Sequence, residues 1–203
     1  MNNVIDLIEK RRSVARYENS TISPADITEL VRLATLSPSA YNFQNWHFIA
    51  VLEDEAKQKL HQAAYGQPQI LQAATTLIVI GELNAHRSLA QRLQQSVDND
   101  ILPQEVADAW AEAAANSHEG NPQVQREEAI RSASLASMTL MLAAENMGYA
   151  SGAMGGFEEE QVRQAFNLTD DQIPVMLITL GKGAAKGWQQ KTRRSVDEVL
   201  TLV

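Results

Sequence analysis

The sequence contains no cysteine, and this absence excludes several kinds of chemistry at once. Disulfide bonds, zinc–thiolate sites, iron–sulfur clusters and a cysteine nucleophile all require thiols. Long apolar runs are missing too, since residues 77–80 and 175–178 are far shorter than the roughly 20 residues of a membrane-spanning helix. Residues 1–12 show no apolar stretch typical of a signal peptide. We therefore expect a cytoplasmic protein that does not enter a membrane.

Glycine, proline and aromatic residues are scarce, with 10 Gly, 6 Pro and 5% aromatics among 203 residues. Apolar residues make up 44% of the chain and charged residues 21%. This composition is typical of a globular protein of one or at most two small domains, and it excludes intrinsic disorder as the main state. We interpret residues 1–203 as a single domain.

Basic residues are outnumbered by acids, and the net charge of −8 argues against general nucleic-acid binding. Nine of the 17 basic residues nevertheless lie within residues 1–16 and 182–194, which together hold only two acids. Two basic segments in an acidic chain favour a local anionic ligand. A solvated basic surface explains the same distribution, so the charge pattern alone leaves both interpretations open.

Hydrophobic periodicity predicts both helices and strands. Helices are predicted over residues 3–11, 23–35, 53–64, 124–147 and 158–166, and strands over residues 46–52, 75–81, 149–154 and 175–181. In the long helix, the predicted buried stripe comprises Ile130, Ala133, Ser134, Ser137, Met138, Met141 and Ala144. Residues 84–120 indicate a surface excursion of two weakly apolar helices, broken near 98–103, and residues 195–203 a small acidic-aliphatic element. Four strands, the last of them apolar and hence central, predict an α/β or α+β sheet covered by helices on both faces.

Familiar nucleotide and hydrolase motifs are not matched. The glycine-rich stretch 181–187 lacks the Lys-Ser/Thr end of a P-loop, and too few residues follow it for a dinucleotide-binding unit. The surroundings of Ser151 lack the spacing of a nucleophile elbow. The four histidines lie far apart in the sequence, so we expect no metal site.

Three other segments together fit a binding site better than any of these motifs does. Arg11, Arg12 and Ser13 could bind a phosphate dianion through charge-assisted hydrogen bonds, and residues 191–194 supply a second set of cations. Between them in sequence, residues 37–46 form a turn whose closely spaced amides could read the edge of a flat heterocycle. Taken singly, the first segment also fits cations at a helix end and the turn fits an ordinary loop.

With these segments in this order, the chain resembles the FMN-dependent nitroreductase family over nearly its whole length. The resemblance rests on Arg11-Arg12-Ser13, the Ser-Pro-Ser turn with Asn42, Gln44 and Trp46, residues 147–157, Leu180-Gly181 and residues 191–199. It implies an α+β three-layer sandwich, with a mixed or antiparallel sheet of about four strands plus a strand donated by the partner. It also implies a homodimer with two FMN sites at its interface.

The resemblance further implies which residues hold the cofactor. The phosphate would be held by Arg11, Arg12, Ser13, Lys191 and Arg193, and the flavin would be contacted from the turn by Ser39, Asn42 and Gln44. Gln67 and Met154 would border the ring, while the backbone of Gly155 and Gly156 would approach it and donate near N5. The chain departs from many members at Ala15, where the basic residue is the neighbouring Arg16, and at Asn45, where proline is usual.

The activity implied by the resemblance is that of a flavin oxidoreductase. NAD(P)H would reduce tightly bound FMN and leave, and a nitroaromatic, a quinone or a related acceptor would then take its place in a ping-pong cycle. No side chain is predicted to be catalytic, since the reactive centre is flavin N5, and residues 84–120 are the candidate lid. Other flavin chemistry, such as dehalogenation or substrate oxidation, and a non-catalytic anion-binding helical module are the alternatives.

Overall fold

The computed structural model describes residues 3–184 and 189–203, so Lys186 and Gly187 of the second basic segment lie outside the described residues. The described chain forms one four-stranded sheet with helices on both faces. The helices are α1 (Val4–Lys10), α2 (Pro24–Ala34), α3 (Asp54–Ala63), α4 (Gln69–Gln72), α5 (Leu89–Asp98), α6 (Gln104–His118), α7 (Pro122–Asn146) and α8 (Glu159–Ala165). The strands are β1 (Trp46–Val51), β2 (Thr75–Glu82), β3 (Ala150–Met154) and β4 (Gln172–Gly181).

The strands follow the order β1-β2-β4-β3, and every neighbouring pair is antiparallel. The prediction that the last strand is central is therefore confirmed, and β2 shares the sheet interior with it. Both faces of β2 are buried, since Leu77 and Val79 pack on one helical layer and Ile78 and Ile80 on the other. The sheet is consequently the middle of three layers, as the α+β sandwich requires.

The first helical layer is built on α7, which crosses the sheet beside α2. Pro122 occupies its first turn and the Asn121 side chain accepts a hydrogen bond from the Val124 N–H, so the helix starts two residues before the predicted bound. Its buried stripe includes Ala133, Ser137, Met141 and Ala144, as predicted. Ile130, Ser134 and Met138 are not buried, and the prediction for them was wrong, because Ala129, Ser132, Ala136 and Leu140 face the core instead.

The second helical layer contains α3, α4 and α8. The one-turn helix α4 was not predicted, yet its Ile70 is fully buried among the residues of this layer. Lys57 of α3 donates to the carbonyl of Ala73 at 3.0 Å, directly after α4. This short helix is thus anchored at its apolar side chain and at its end.

The chain between α1 and α2 runs along the edge of the sheet as an extended segment. Ser13 forms a parallel bridge with Ser151 of β3, and Tyr17 an antiparallel bridge with Gly183 beyond β4. The Tyr17 hydroxyl is hydrogen-bonded to Thr179 Oγ1 at 2.8 Å, and burial raises the pKa of this phenol to about 12. Residues 13–17 are therefore fixed in place although they belong to no helix or strand.

The excursion predicted at 84–120 contains helices α5 and α6, separated at residues 99–103, and has a small core of its own. Leu89, Leu93, Ala107 and Ala114 pack there around the buried Phe43. At the other end of the chain, residues 189–203 are all exposed and contain only a single 3₁₀ turn, Val196–Glu198. Among the helices of residues 3–184 and 189–203, none is long and apolar enough to cross a membrane.

Candidate functional site

A cavity of about 610 Å³ opens beside β3. Its walls are residues 13–16 of the extended segment, residues 67–69 at the start of α4, and residues 152–156, with Lys191 at its border. This volume lies within the roughly 300–1,000 Å³ of typical cofactor and ligand pockets. Six of the twelve residues predicted to hold the cofactor line this cavity, namely Ser13, Gln67, Met154, Gly155, Gly156 and Lys191.

The Gly155-Gly156 pair leaves two backbone donors available at this cavity. Within the described part of the chain, neither of their N–H groups makes a hydrogen bond. A Cβ added at Gly155 would meet no heavy atom within 4 Å, so the space beside it is open. Adjacent unpaired N–H groups at the wall of a cavity are suited to an acceptor on a ligand.

Three hydrogen bonds tie the segment that carries these glycines to residues 63–67, between the end of α3 and the start of α4. The Glu158 N–H donates to the Ala63 carbonyl at 2.8 Å, the Gln67 amide donates to the Gly156 carbonyl at 2.7 Å, and the Tyr65 hydroxyl donates to the Glu158 carboxylate. The last of these bonds raises the pKa of Tyr65. Residues 156–158 at the rim of the cavity are thereby held by residues 63–67, which are distant from them in sequence.

Gly152 allows β3 to approach the opposite wall closely. The Val14 N–H donates to the Ser151 carbonyl at 2.9 Å, so the extended segment lies directly against the strand. A Cβ at Gly152 would overlap the Val14 carbonyl oxygen and lie 2.8 Å from Thr179 Oγ1. Only glycine fits between these two backbones.

The predicted cations are distributed differently from the expectation. Lys191 and the neighbouring Arg16 border the large cavity, whereas Arg12 lines an adjoining cavity of about 270 Å³ together with Lys10 and Lys182. Successive residues of an extended segment point to opposite sides, which explains why Arg12 and Ser13 serve different cavities. Arg11 and Arg193 line neither of these two cavities; the Arg193 guanidinium donates to the Lys191 carbonyl at 2.7 Å.

The turn with Ser39, Asn42 and Gln44 does not reach the cavity within one chain. It leads directly into β1, and β1 and β3 form opposite edges of the sheet, about 14 Å apart across three strand spacings. Asn42 and Gln44 both have positive φ, a conformation uncommon for residues other than glycine, and their side chains are exposed. The Ser39 hydroxyl accepts a hydrogen bond from the Gln44 N–H at 2.9 Å and stabilises this conformation.

Two buried histidines, His86 and His118, pack beneath the turn on the side of its buried Phe43. The His118 ring meets Phe43 edge-on at 5.0 Å and stacks on His86 at 5.8 Å. His86 is hydrogen-bonded to Glu119 at 2.9 Å, and Arg87 with His86 lowers the pKa of that carboxyl to about 2. Burial, with a smaller effect of His86, lowers the pKa of His118 below its usual range.

The stability of the protein should therefore depend on pH through His118. Below about pH 6.5, the reference pKa of histidine, the unfolded chain takes up a proton that folded His118 does not, so stability falls as pH falls. His86, Arg87, Glu119 and Glu128 are the titratable or charged groups around this ring. We expect His118→Gln to flatten the dependence of the urea midpoint between pH 7.5 and 5.5.

The control for this prediction is His47→Gln, which changes an exposed histidine on β1. Its urea midpoints should follow the wild-type pH dependence. An equal slope in the wild type and in His118→Gln would contradict the role of His118.

Gln69, like Val14, Pro68, Gly152 and Ala153, lines the cavity but was not predicted as a site residue. The Gln69 amide donates both to the Gln67 side chain at 2.8 Å and to Met154 Sδ at 2.9 Å. Arg16 was left undecided against Ala15, and both border the cavity. A lone glutamine carries no sequence signal, although its place in the run Gln67-Pro68-Gln69 is a local pattern of the kind that marks a turn. Among the described residues, no group of three or more histidines and carboxylates is placed to hold a metal ion.

Comparisons with known proteins agree with this geometry. The protein YodC of Bacillus subtilis, named as an NAD(P)H nitroreductase, is 35% identical over 202 residues, covering 99% of each chain. The crystal structure of the B. subtilis nitroreductase ydfN has a TM-score of 0.92 at 31% identity, over 98% of each chain. A nitroreductase from Exiguobacterium sibiricum in complex with FMN has a TM-score of 0.91 at 28% identity, over 100% of this chain and 98% of that one. With the family model matching residues 8–182, the chain belongs to the Nitroreductase family.

Proposed function

We propose that this protein is an NAD(P)H-dependent FMN oxidoreductase that reduces nitroaromatics, quinones or related acceptors. The observation that carries the proposal is the cavity of about 610 Å³ with the unpaired N–H groups of Gly155 and Gly156 at one wall and Lys191 at its border. The FMN complex of the E. sibiricum relative and the name of YodC support the same cofactors.

The residues present fit FMN by their chemistry. Lys191 and the Ser13 hydroxyl, with Arg16 nearby, supply a cation and a donor for the phosphate. Gly155 and Gly156 supply backbone donors for the acceptor atoms of the ring edge, and Met154 supplies an apolar contact. The cavity thus offers a charged part for the phosphate and a neutral, hydrogen-bonding part for the ring.

When bound, FMN supplies the redox chemistry, accepting a hydride from NAD(P)H and passing it to an oxidised acceptor. The protein would admit the nicotinamide and the acceptor in turn to one cavity, which makes the cycle ping-pong. Among the described residues, no carboxylate or histidine lines this cavity. Water would therefore provide the proton that accompanies each hydride when a quinone becomes a hydroquinone.

The visible absorption spectrum of the purified protein tests this proposal. After incubation with FMN and desalting, we expect a retained flavin band with perturbed shape, which NAD(P)H bleaches and a quinone restores. A folded protein that stays colourless after this treatment would overturn the proposal. Such a protein would favour the non-catalytic anion-binding alternative, which expects strongly salt-dependent association instead.

We propose further that the turn of Ser39, Asn42 and Gln44 serves the cavity of a second copy of this chain. Within one chain, it lies at the opposite edge of the sheet. Apolar side chains that a partner could cover are exposed on α1, α7 and the tail; they are Val4, Ile5, Ile8, Ile130, Leu135, Met138, Val196, Val199, Leu200, Leu202 and Val203. Such a surface favours a homodimer in which each tail packs on the partner.

Mixing two defective variants tests the shared site. Asn42→Ala and Lys191→Met should each weaken FMN binding in their own homodimers. If the turn acts on the partner, a heterodimer of the two has one site with both defects and one intact site. Random exchange of equal amounts makes half of the dimers heterodimers, so about a quarter of all sites should bind with wild-type affinity. Titration of FMN fluorescence after subunit exchange measures this fraction. No recovery would show that the turn acts within its own chain.

The excursion of α5 and α6 is our candidate for the region that selects the acceptor. Trp110 of α6 is 39% exposed and meets Tyr41 of the turn edge-on at 6.4 Å. Deleting the excursion would uncover Phe43, which is 1% exposed, so a point substitution is the cleaner test. We expect Trp110→Ala to change the KM for quinones and nitroaromatics by several-fold while FMN content stays constant. Unchanged KM values for both acceptors would contradict this role.

A further inference from the structure

The side chains of Gln67 and Gln69 form a relay that ends on the backbone beside the cavity. The Gln69 amide donates to Gln67 Oε1 at 2.8 Å, and Gln67 Nε2 donates to the Gly156 carbonyl at 2.7 Å. Gln69 Nε2 also donates to Met154 Sδ at 2.9 Å, so the two glutamines together contact the residues on both sides of Gly155. The relay links α4 to the two glycines with free N–H groups.

The direction of the relay is determined by its last acceptor. A backbone carbonyl can only accept, so Gln67 must turn its NH₂ group towards Gly156 and its oxygen towards Gln69. Gln69 must then act as the donor. If Gln69 loses its donors, Gln67 keeps no partner that orients its amide oxygen. A side chain of the same size that cannot donate, such as glutamate or methionine, could therefore not take the place of Gln69.

The start of the relay is rigid. Gln69 is the first residue of α4, whose Ile70 is fully buried and whose end is held by Lys57 through the Ala73 carbonyl. The free N–H groups at the far end belong to glycines, which are the least restrained residues of a chain. A rigid donor at one end and a flexible acceptor segment at the other suit a positioning role.

We propose that Gln69 is a positioning residue that acts through Gln67 to hold the Gly155-Gly156 segment against the ring edge of FMN. The inference rests on the proposed function, since it concerns the FMN that the cavity would hold. It assigns Gln69 no contact with the flavin. Substitution of Gln69 should therefore weaken binding of the flavin ring and leave binding of the phosphate unchanged. It should have no further effect in a variant that already lacks the Gln67 amide.

Flavin titrations with Gln69→Met, Gln67→Met and the double variant test this proposal. We expect Gln69→Met to raise the dissociation constant of FMN and of riboflavin by the same factor, about 3- to 10-fold for one neutral hydrogen bond. The double variant should bind no more weakly than Gln67→Met alone, because coupled residues are not additive. The spectrum of bound flavin should shift towards that of free flavin in Gln69→Met, while Gln62→Met, a change on the exposed face of α3, should match the wild type.

Each other outcome is decisive. Multiplied effects in the double variant would show that Gln69 contacts the flavin itself, and an unchanged dissociation constant in Gln69→Met would show that the relay is irrelevant to binding. If Gln69→Met does not fold, Gln69→Glu keeps the shape without the donors and is assayed with uncharged riboflavin, with the same expected loss. A wild type that binds no flavin would contradict the proposed function. If the wild type binds flavin and the glutamine variants have the same dissociation constant, only this inference is contradicted.

Discussion

Replacing Gly152 by alanine should lower the free energy of unfolding by about 2 to 3 kcal/mol, the upper part of the range for overpacking. The new Cβ would overlap the Val14 carbonyl oxygen and approach Thr179 Oγ1 to 2.8 Å. Neither atom can yield easily, because Val14 is held to Ser151 by a backbone hydrogen bond and Thr179 lies in the central strand β4. Relief of the overlap would push residues 13–16 away from β3.

This displacement should also impair the cavity, because residues 13–16 form one of its walls. Urea unfolding followed by circular dichroism measures the stability, and flavin fluorescence measures FMN binding. Gly155→Ala is the matched control, since its Cβ would meet no heavy atom within 4 Å. The control should keep the wild-type midpoint, and equal midpoints for the two variants would contradict the close approach at Gly152.

Replacing Lys191 by methionine should raise the dissociation constant of FMN by about 10- to 100-fold, the worth of a hydrogen bond to a charged group. The cause is the loss of a cation that borders the same cavity as Ser13. Riboflavin has no phosphate, so its binding should not change. The effect on FMN should shrink as salt is added, because exposed charges are screened.

Lys182→Met is the control for the loss of one positive charge in Lys191→Met. Lys182 borders the adjoining cavity and pairs with Glu18 at 2.8 Å, so the same loss of one cation occurs outside the proposed site. Its dissociation constant for FMN should stay within about twofold of the wild type, since a surface ion pair contributes little. Equal losses in both variants would indicate general electrostatic attraction and no phosphate site at Lys191.

Most helices and strands could be predicted because their signals are local. β2 and β4 are short apolar runs bounded by polar residues, and α2 begins at Ser23 and Pro24, which cap it as expected. The bounds of β4 were missed by three residues, since Gln172 and Ile173 join the strand through pairing with β2. α4 escaped prediction because a single turn has no period to detect; the burial of Ile70 in the second layer stabilises it.

The buried face of α7 was harder to predict than its length. A helix that touches all four strands and three other helices has apolar or small residues on most sides, so periodicity does not single out one face. The misassigned Ile130 and Met138 are 39% and 38% exposed. Both belong to the apolar surface that we propose a second copy covers.

Composition and local pattern alone determined the chemical class of the protein. The absence of cysteine excluded thiol chemistry, and the short segments around Ser13, Gly155 and Lys191 carried the resemblance to the Nitroreductase family, which in turn implied a bound FMN. These signals can be read from the sequence because they depend only on the type and order of the residues.

The tertiary structure decided which of these residues meet. Strand order places Ser13, Gln67, Gly155 and Lys191 at one cavity and the turn of Asn42 at the opposite edge of the sheet. The tertiary structure also places Arg12 at a different cavity from Ser13 and brings the Gln69 amide within hydrogen-bond distance of Gln67. The reason is physical: pairing between strands and the side on which an extended residue points depend on contacts between segments far apart in the chain.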